Sequence, residues 1–392
     1  MILINQLFKS VGAAEASNHF HSLKKNESTP SYLLNNFGIN GRICPIFHWN
    51  AIWHHRIAVE ISSQLFEKQN EVMVIANGLK KYRKNYQRMF STMPLRSNKS
   101  FSYYLGMICL DAICGEYSEK NLKKFTSIIR HLVGDGAFVE GSHYSLFCSQ
   151  SFKSAFILLD KFYKNNHIWN DACDSIKKLE EWQSRIANSE GVVASIGDSW
   201  YEKVEQPSTE EGIFSYKDMT IMRNKKWVVV KNHRKSPWAL HEHPHLNEVL
   251  ISKDGKWVVQ GSGMPSYKQV MAKPFQWRRP RNHFYTELGM DYMYIWRLNK
   301  KRIKNRTVTI EDDSLRIYDT GHNTIRWPIE GEYDFKNNLN TITFKYNNTN
   351  FKVVGEVNNV KRGYAWQSTS YRNFKKVDVI RIEGFNLVTT VV

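Results

Sequence analysis

Leu240-His241-Glu242-His243-Pro244-His245-Leu246-Asn247 is the stretch whose reading decides the fold. An alternating run from Glu248 to Ser252 follows it, then the pair Asp254-Gly255, then Lys256-Trp257-Val258-Val259-Gln260-Gly261-Ser262-Gly263. On a strand every second side chain shares a face, so His241, His243 and His245 are expected to project from one side of a sheet. Asp-Gly between two alternating runs is a strong short-range hairpin signal. Three imidazoles converging on a cleft could bind a metal or handle protons near neutral pH. The alternative is a polar strand edge without chemistry.

Working outward, the texture of the chain changes once. From about Asn50 to Asn188 it is helical. Leu122, Phe125, Ile129 and Leu132 recur at helical spacing within 118–133, as do Ile176, Leu179, Trp182 and Ile186 within 170–187. Helices also fit 51–68, 71–90, 102–115 and 145–164, joined by short polar loops, which suggests paired antiparallel helices. From Gly212 onward the period becomes two. Strands are expected at 213–222, 226–232, 247–252, 256–260, 307–311, 314–319, 341–346, 351–357, 363–369, 376–383 and 386–392. Asn224, Gly321, Asn337-Asn338 and Asn347-Asn348 read as turns between them. Helices first and strands second imply an α+β chain of two packed domains, 1–195 and 196–392, and not an alternating α/β fold.

The 392 residues are enough for two cores. No apolar run reaches the roughly 18 residues of a membrane span. Met1 to Ser17 lacks a continuous apolar region and makes an unpersuasive signal peptide, so the compartment stays open. The five cysteines Cys44, Cys109, Cys114, Cys148 and Cys173 include no C-x-x-C pair and read as small buried residues. A net charge of +18 favours a polyanionic partner: nucleic acid, an anionic membrane surface or an acidic polysaccharide. The plainer reading of that charge is a generally basic, soluble surface.

Several segments, in order, resemble the heparinase II/III-like polysaccharide lyases over most of the chain from about residue 45 to 285. Asp135-Gly136-Ala137-Phe138-Val139-Glu140-Gly141-Ser142-His143-Tyr144 is similar to that family's D-G-x-F-x-E-x-S stretch with a following Tyr. Ile196-Gly197-Asp198-Ser199 is similar to its I-G-D-S turn, and His241 to His245 to its H-x-H-x-D. Val258 to Gly263 follows the Asp-Gly hairpin at the spacing of the family's D-G-x-x-L-L-V-D-x-G. Trp53-His54-His55 sits where the family shows Asn-His heading a helix, and Arg278, Arg279 and Arg281 precede a later His283. The resemblance implies an incomplete (α/α) toroid followed by an antiparallel β-sandwich domain.

It also implies β-elimination from a uronate-containing polysaccharide. The C5 proton is weakly acidic, so the neighbouring carboxylate must be neutralised while a base takes the proton and an acid protonates the departing O4. The resemblance assigns Tyr144 and His241 to proton transfer and puts His55 at the family's early His position. An aromatic packed into a helical core is the alternative for Tyr144. His54 replaces the family's carboxylate-neutralising Asn. Asn50, one turn earlier if 50–55 is helical, could serve with it. Glu140, Trp277, Arg278, Arg279 and Arg281 complete the substrate-binding set. The run Lys300, Lys301, Arg302, Lys304 and Arg306 reads as a solvated basic edge. A divalent, zinc-like metal would fall to His243, Gln260 and His283, with His245 as a substitute ligand, but a neutral Gln is weaker than the family's carboxylate.

Departures at His54, His245 and Gln260 keep a second reading open: a catalytically diverged glycan-binding or bacterial capsule-assembly protein of the same fold. Nucleic-acid binding rests on net charge alone, without a recognised motif, and is not expected. The resemblance suggests a periplasmic or secreted protein, with the cytoplasm as the alternative. The identity of the polysaccharide, endo or exo action and oligomeric state are not encoded legibly.

Overall fold

A computed structural model describes residues 97–113, 115–138, 140–197, 199, 201–232, 248–261, 305–311, 313–336, 340–370 and 373–392. The described residues form an α+β structure with four helices and two antiparallel sheets. It divides into two compact units. The first holds residues up to Glu140 together with Tyr144–Glu180; the second holds Gly141–His143 and Glu181–Val392.

The helices are α1 (Asn98–Ile113), α2 (Glu119–Val133), α3 (Ser142–Tyr163) and α4 (His167–Arg185). α2 starts where Ser118 accepts a hydrogen bond from the Asn121 N–H, and it stops at Gly134, whose positive φ of 54° lets its N–H return to the Arg130 carbonyl. The stripe read from sequence is the buried one: Leu122, Phe125, Ile129 and Leu132 are each at most 1% exposed. Phe125 stacks on Phe152 of α3, which stacks on Trp169 of α4 with ring centroids 5.2 Å apart. Polar links fix the register of this cluster. Asn121 donates to Asp111 at 2.8 Å, Thr126 to the Ile168 carbonyl at 3.2 Å, and the Trp169 indole to Asp160 at 3.0 Å.

The second unit carries a five-stranded sheet in simple sequential order. Its strands are β1 (Gly212–Tyr216), β2 (Met219–Arg223), β3 (Trp227–Asn232), β4 (Val249–Lys253) and β5 (Lys256–Val259). The six-stranded sheet is built from β6 (Asn305–Ile310), β7 (Leu315–Pro328), β8 (Glu330–Lys336), β9 (Thr341–Tyr346), β10 (Thr349–Ser370) and β11 (Asn373–Val391), in the order β6-β7-β11-β10-β9-β8. One hydrophobic cluster takes residues from both sheets, with Trp227, Val229 and Ile251 from the first and Ile317, Phe344, Phe351 and Ile382 from the second. Burying the apolar face of each sheet in a common core is the main stabilising term.

The turns behave as their residues dictate. Asp254 and Gly255 take φ of 49° and 77° between β4 and β5, and Asn347 and Asn348 take 46° and 58° between β9 and β10, the left-handed pairs a two-residue hairpin needs. Asn224 accepts the N–H groups of Lys226 and Trp227.

The structure corrects several strand boundaries. The expected strand 213–222 is the β1–β2 hairpin, because Lys217-Asp218 continues the alternation while turning the chain. The expected strands 351–357 and 363–369 are both parts of β10, and 376–383 and 386–392 are both parts of β11. Bulges at Val354/Glu356, Val357/Asn359 and Phe385/Leu387 absorb the glycine and asparagine residues that read as breaks. Gly321 is likewise no turn: it sits inside β7 at φ 82°, its N–H bonded to Asn386 Oδ1 on the paired strand. β8 went unread because its charged positions hide the alternation, as suits an edge strand. Arg306 is not on a solvated edge. It forms a two-armed pair with Asp319 at 2.7 and 2.9 Å, and the Asp319 side chain is 1% exposed. The expected helices 51–68 and 71–90 and the turn Asn337-Asn338 lie outside the described residues. Of the cysteines, Cys109 and Cys148 are buried and Cys173, contrary to expectation, is only half-buried on the outer side of its helix turn; none of the three is in a disulfide among the described residues.

Candidate active site

The stretch Asp135–Tyr144 leaves α2 through a left-handed Gly136 and buries Ala137 and Phe138. Glu140 comes next and is 1% exposed. Its carboxylate accepts the backbone N–H of Asn98 at 2.7 Å, at the start of α1. A carboxylate there satisfies an otherwise orphaned donor and sits favourably in the helix dipole. The structure therefore places Glu140 inside the helical unit, on a helix start.

Asn98 is a residue the sequence reading passed over. It heads α1, with Ser97 capping the helix by accepting the Ser100 N–H at 3.3 Å. Its side chain is buried, and neither its amide nitrogen nor its oxygen meets a hydrogen-bond partner among the described residues. A primary amide held this way at a helix head is chemically suited to a carboxylate ligand. The signal was present in Ser97-Asn98-Lys99-Ser100, a capping sequence ahead of an apolar run. Tyr144 lies in the first turn of α3 and is 8% exposed.

In the second unit three of the motifs meet. Ser142 and Ile196 exchange backbone and side-chain bonds: the Ser142 N–H donates to the Ile196 carbonyl at 3.0 Å, and the Ile196 N–H donates to Ser142 Oγ at 3.1 Å. Ser142 Oγ also lies 2.6 Å from Ser199 Oγ. The approach is so close that a Cβ on Gly141 would stand 2.3 Å from the Ile196 carbonyl oxygen. From the other side, Gln260 Oε1 accepts the Ser195 N–H at 2.7 Å and Gln260 Nε2 donates to the Val193 carbonyl at 3.3 Å. A Cβ on Gly261 would fall 2.0 Å from the Ser195 carbonyl oxygen. The β4–β5 hairpin adds two bonds to the same segment, Asn188 to the Gly255 carbonyl at 2.6 Å and the Trp257 indole to the Val192 carbonyl at 2.8 Å. Arg223 closes its start by donating to the Arg185 carbonyl at 2.7 Å at the end of α4; burial lowers the pKa of this guanidinium. His143, adjacent to Tyr144, pairs with Glu202 at 2.8 Å.

Gln260 is the described member of the expected metal set; His243, His245 and His283 lie outside the described residues. Both ends of its carboxamide bond to backbone groups, which fixes its pose. Among the described residues no group of three or more His, Cys, Asp or Glu side chains could hold a metal. Asn50, His54, His55, His241, His243, His245, Trp277, Arg278, Arg279, Arg281 and His283 lie outside the described residues.

The fold is similar to that of solved heparinase and heparan sulfate lyase structures. A heparinase III gene product with methylated lysines superposes with a TM-score of 0.58 at 14% identity, covering 95% of this chain and 70% of that one. Heparan sulfate lyase HepC from Pedobacter heparinus superposes with a TM-score of 0.59 at 11% identity, covering 95% and 73% respectively. At such identities the likeness is one of fold. No protein-family model matches the sequence, and no curated protein matches it. Among the described residues no helix is long and apolar enough to cross a membrane.

Proposed function

We propose that the chain is a polysaccharide lyase that cleaves an acidic, uronate-containing polysaccharide by β-elimination. The observation that carries this reading is the meeting of three separate motifs, around Ser142, Ile196-Ser199 and Gln260, within a fold shared with heparan sulfate lyase HepC. Its finer form is a two-domain molecule, an incomplete (α/α) toroid and a β-sandwich.

In this mechanism an amide neutralises the uronate carboxylate, which lowers the cost of charge developing at C5. Asn98 takes that part, as a buried amide without a described partner at the head of α1. Tyr144 and His241 share the proton transfers. One removes the C5 proton, the C5–H electron pair becomes the C4=C5 double bond, and the C4–O4 bond breaks. The other delivers a proton to O4 as it leaves. Arg278, Arg279, Arg281 and Trp277 hold flanking sugars through charge-assisted bonds and a flat aromatic face. Metal content of the purified protein with and without His243→Ala tests whether His243, His245 and His283 hold a metal; equal, near-zero content in both removes that site.

The direct test is the ultraviolet absorbance of the unsaturated uronate on incubation with a panel of uronate polymers. Tyr144→Phe, His241→Ala or Asn98→Ala should each abolish the rise. A second reading, a diverged glycan-binding or capsule-assembly protein, is favoured by the structural use of Gln260 in place of an acidic ligand. Binding to a polymer without any absorbance change from the unaltered chain would select it.

A further inference from the structure

Gly141, Ser142 and His143 are held to the 193–202 segment at three successive points. Gly141 lies against the Ile196 carbonyl with no room for a Cβ, and Ser142 exchanges bonds with Ile196 and meets Ser199. The third point is a charged one. His143 Nδ1 stands 2.8 Å from Glu202 Oε1, with the His143 side chain 3% exposed and that of Glu202 20% exposed. An ionised carboxylate can only accept, so the imidazole carries a proton on Nδ1 and donates it. The other carboxylate oxygen, Glu202 Oε2, is buried and meets no hydrogen-bond partner among the described residues.

A buried carboxylate oxygen without a bond costs stability that a hydroxyl, such as the one on Ser142, does not. What the carboxylate adds is a charge-assisted bond, short and directional, that fixes the imidazole ring in one orientation. Glu202 is itself fixed. Its carbonyl accepts the Val193 N–H at 2.8 Å, and Lys203 bridges to Val192. Gln260 holds the same run through the Val193 carbonyl and the Ser195 N–H. His143 is thus tied, through Glu202, to backbone that is already immobilised.

His143 is the second residue of α3 and Tyr144 is the third. Successive residues of a helix are turned by about 100° from one another. Anchoring the His143 ring therefore sets the rotation of the first turn, and with it the direction in which the Tyr144 side chain leaves the helix. We propose that the His143–Glu202 pair is a positioning device for Tyr144, one that aims the phenol without itself touching substrate. Its purpose rests on the lyase reading; the coupling of Glu202 to Tyr144 does not. Misplacing a catalytic group by about 1 Å costs on the order of a hundredfold in rate, while binding by other residues is left alone.

The experiment uses the full chain. Fluorine NMR follows 3-fluorotyrosine placed at position 144 alone, and the unlabelled chain is assayed in parallel on heparan sulfate, alginate and polygalacturonate. Glu202→Ala should shift or broaden the fluorine line and lower kcat at least roughly tenfold, with KM changed by less than about twofold. Glu202→Gln keeps an oxygen that accepts from Nδ1, so it should restore the line and bring kcat back to within about threefold. Glu202→Leu fills a similar volume without an acceptor and carries the test if Glu202→Ala does not fold. A fluorine line that Glu202→Ala leaves unmoved, a loss in KM and not in kcat, or a Glu202→Gln variant as impaired as Glu202→Ala overturns the proposal. A shifted line rescued by Glu202→Gln, with no polymer cleaved by the unaltered chain, would sink the lyase reading alone. Cleavage by the unaltered chain with an unmoved line would sink the positioning pair alone.

Discussion

Two regions of the second unit treat polar side chains in opposite ways. Around residues 188–199, Ser142, Ser199 and Gln260 are turned inward and each reads another group at hydrogen-bond distance. On the far face of the six-stranded sheet, Arg326, Arg381 and Lys361 are lined up like against like with solvent beside them. The first arrangement fixes a position, because a buried polar group left unsatisfied costs more than a made bond returns. The second sets like charges side by side on adjacent strands. Precision belongs to the segment between the motifs.

The sharpest way to break this contrast is at the glycines. Gly261→Ala should destabilise the fold by about 3 kcal/mol or more, since its Cβ meets a backbone oxygen and no flexible side-chain end. Gly141→Ala should cost a similar amount, because its φ of 90° adds backbone strain to the clash. Denaturant midpoints measure both, and a shift near zero would mean the segment is not tightly held. Next is Ser142→Ala, which removes the bonds to Ser199 Oγ and the Ile196 N–H and should cost about 1–3 kcal/mol. Gln260→Ala should fall at the lower end of that range, with Gln260→Glu failing to restore the bond to the Val193 carbonyl.

The smallest stability effect is expected at Glu383, which pairs with Arg381 of that row. Glu383→Gln should move stability by about 0.5 kcal/mol or less. The Glu383 pKa is lowered in the fold, so its stabilising contribution is complete above the ordinary carboxylate range and is lost as pH falls through the lowered value. A pH titration of the denaturant midpoint should show this loss in the unaltered chain and not in Glu383→Gln.

Much of the fold was legible because its signals are local. The α2 stripe, the Asp254-Gly255 and Asn347-Asn348 turns and the switch from helical to strand texture each depend on residues a few positions apart. Strand lengths were not legible. Gly321, Gly355 and Asn386 carry the residue types of turns, yet bulges let β7, β10 and β11 run through them, and that depends on partners far along the chain. In the candidate site, Tyr144, Glu140 and Gln260 could be named from their motifs. Asn98 was missed because its importance lies in Glu140, 42 residues away, meeting the start of its helix.

The sequence alone determined where helices give way to strands, which turns are left-handed, and which stretches resemble lyase motifs, since backbone preference and hydrophobic period are written residue by residue. The tertiary structure decided that Glu140 starts a helix, that Gln260 holds the backbone of Ser195, and that three cations form one row. Those facts depend on register and on close approach between distant segments, which no local pattern specifies.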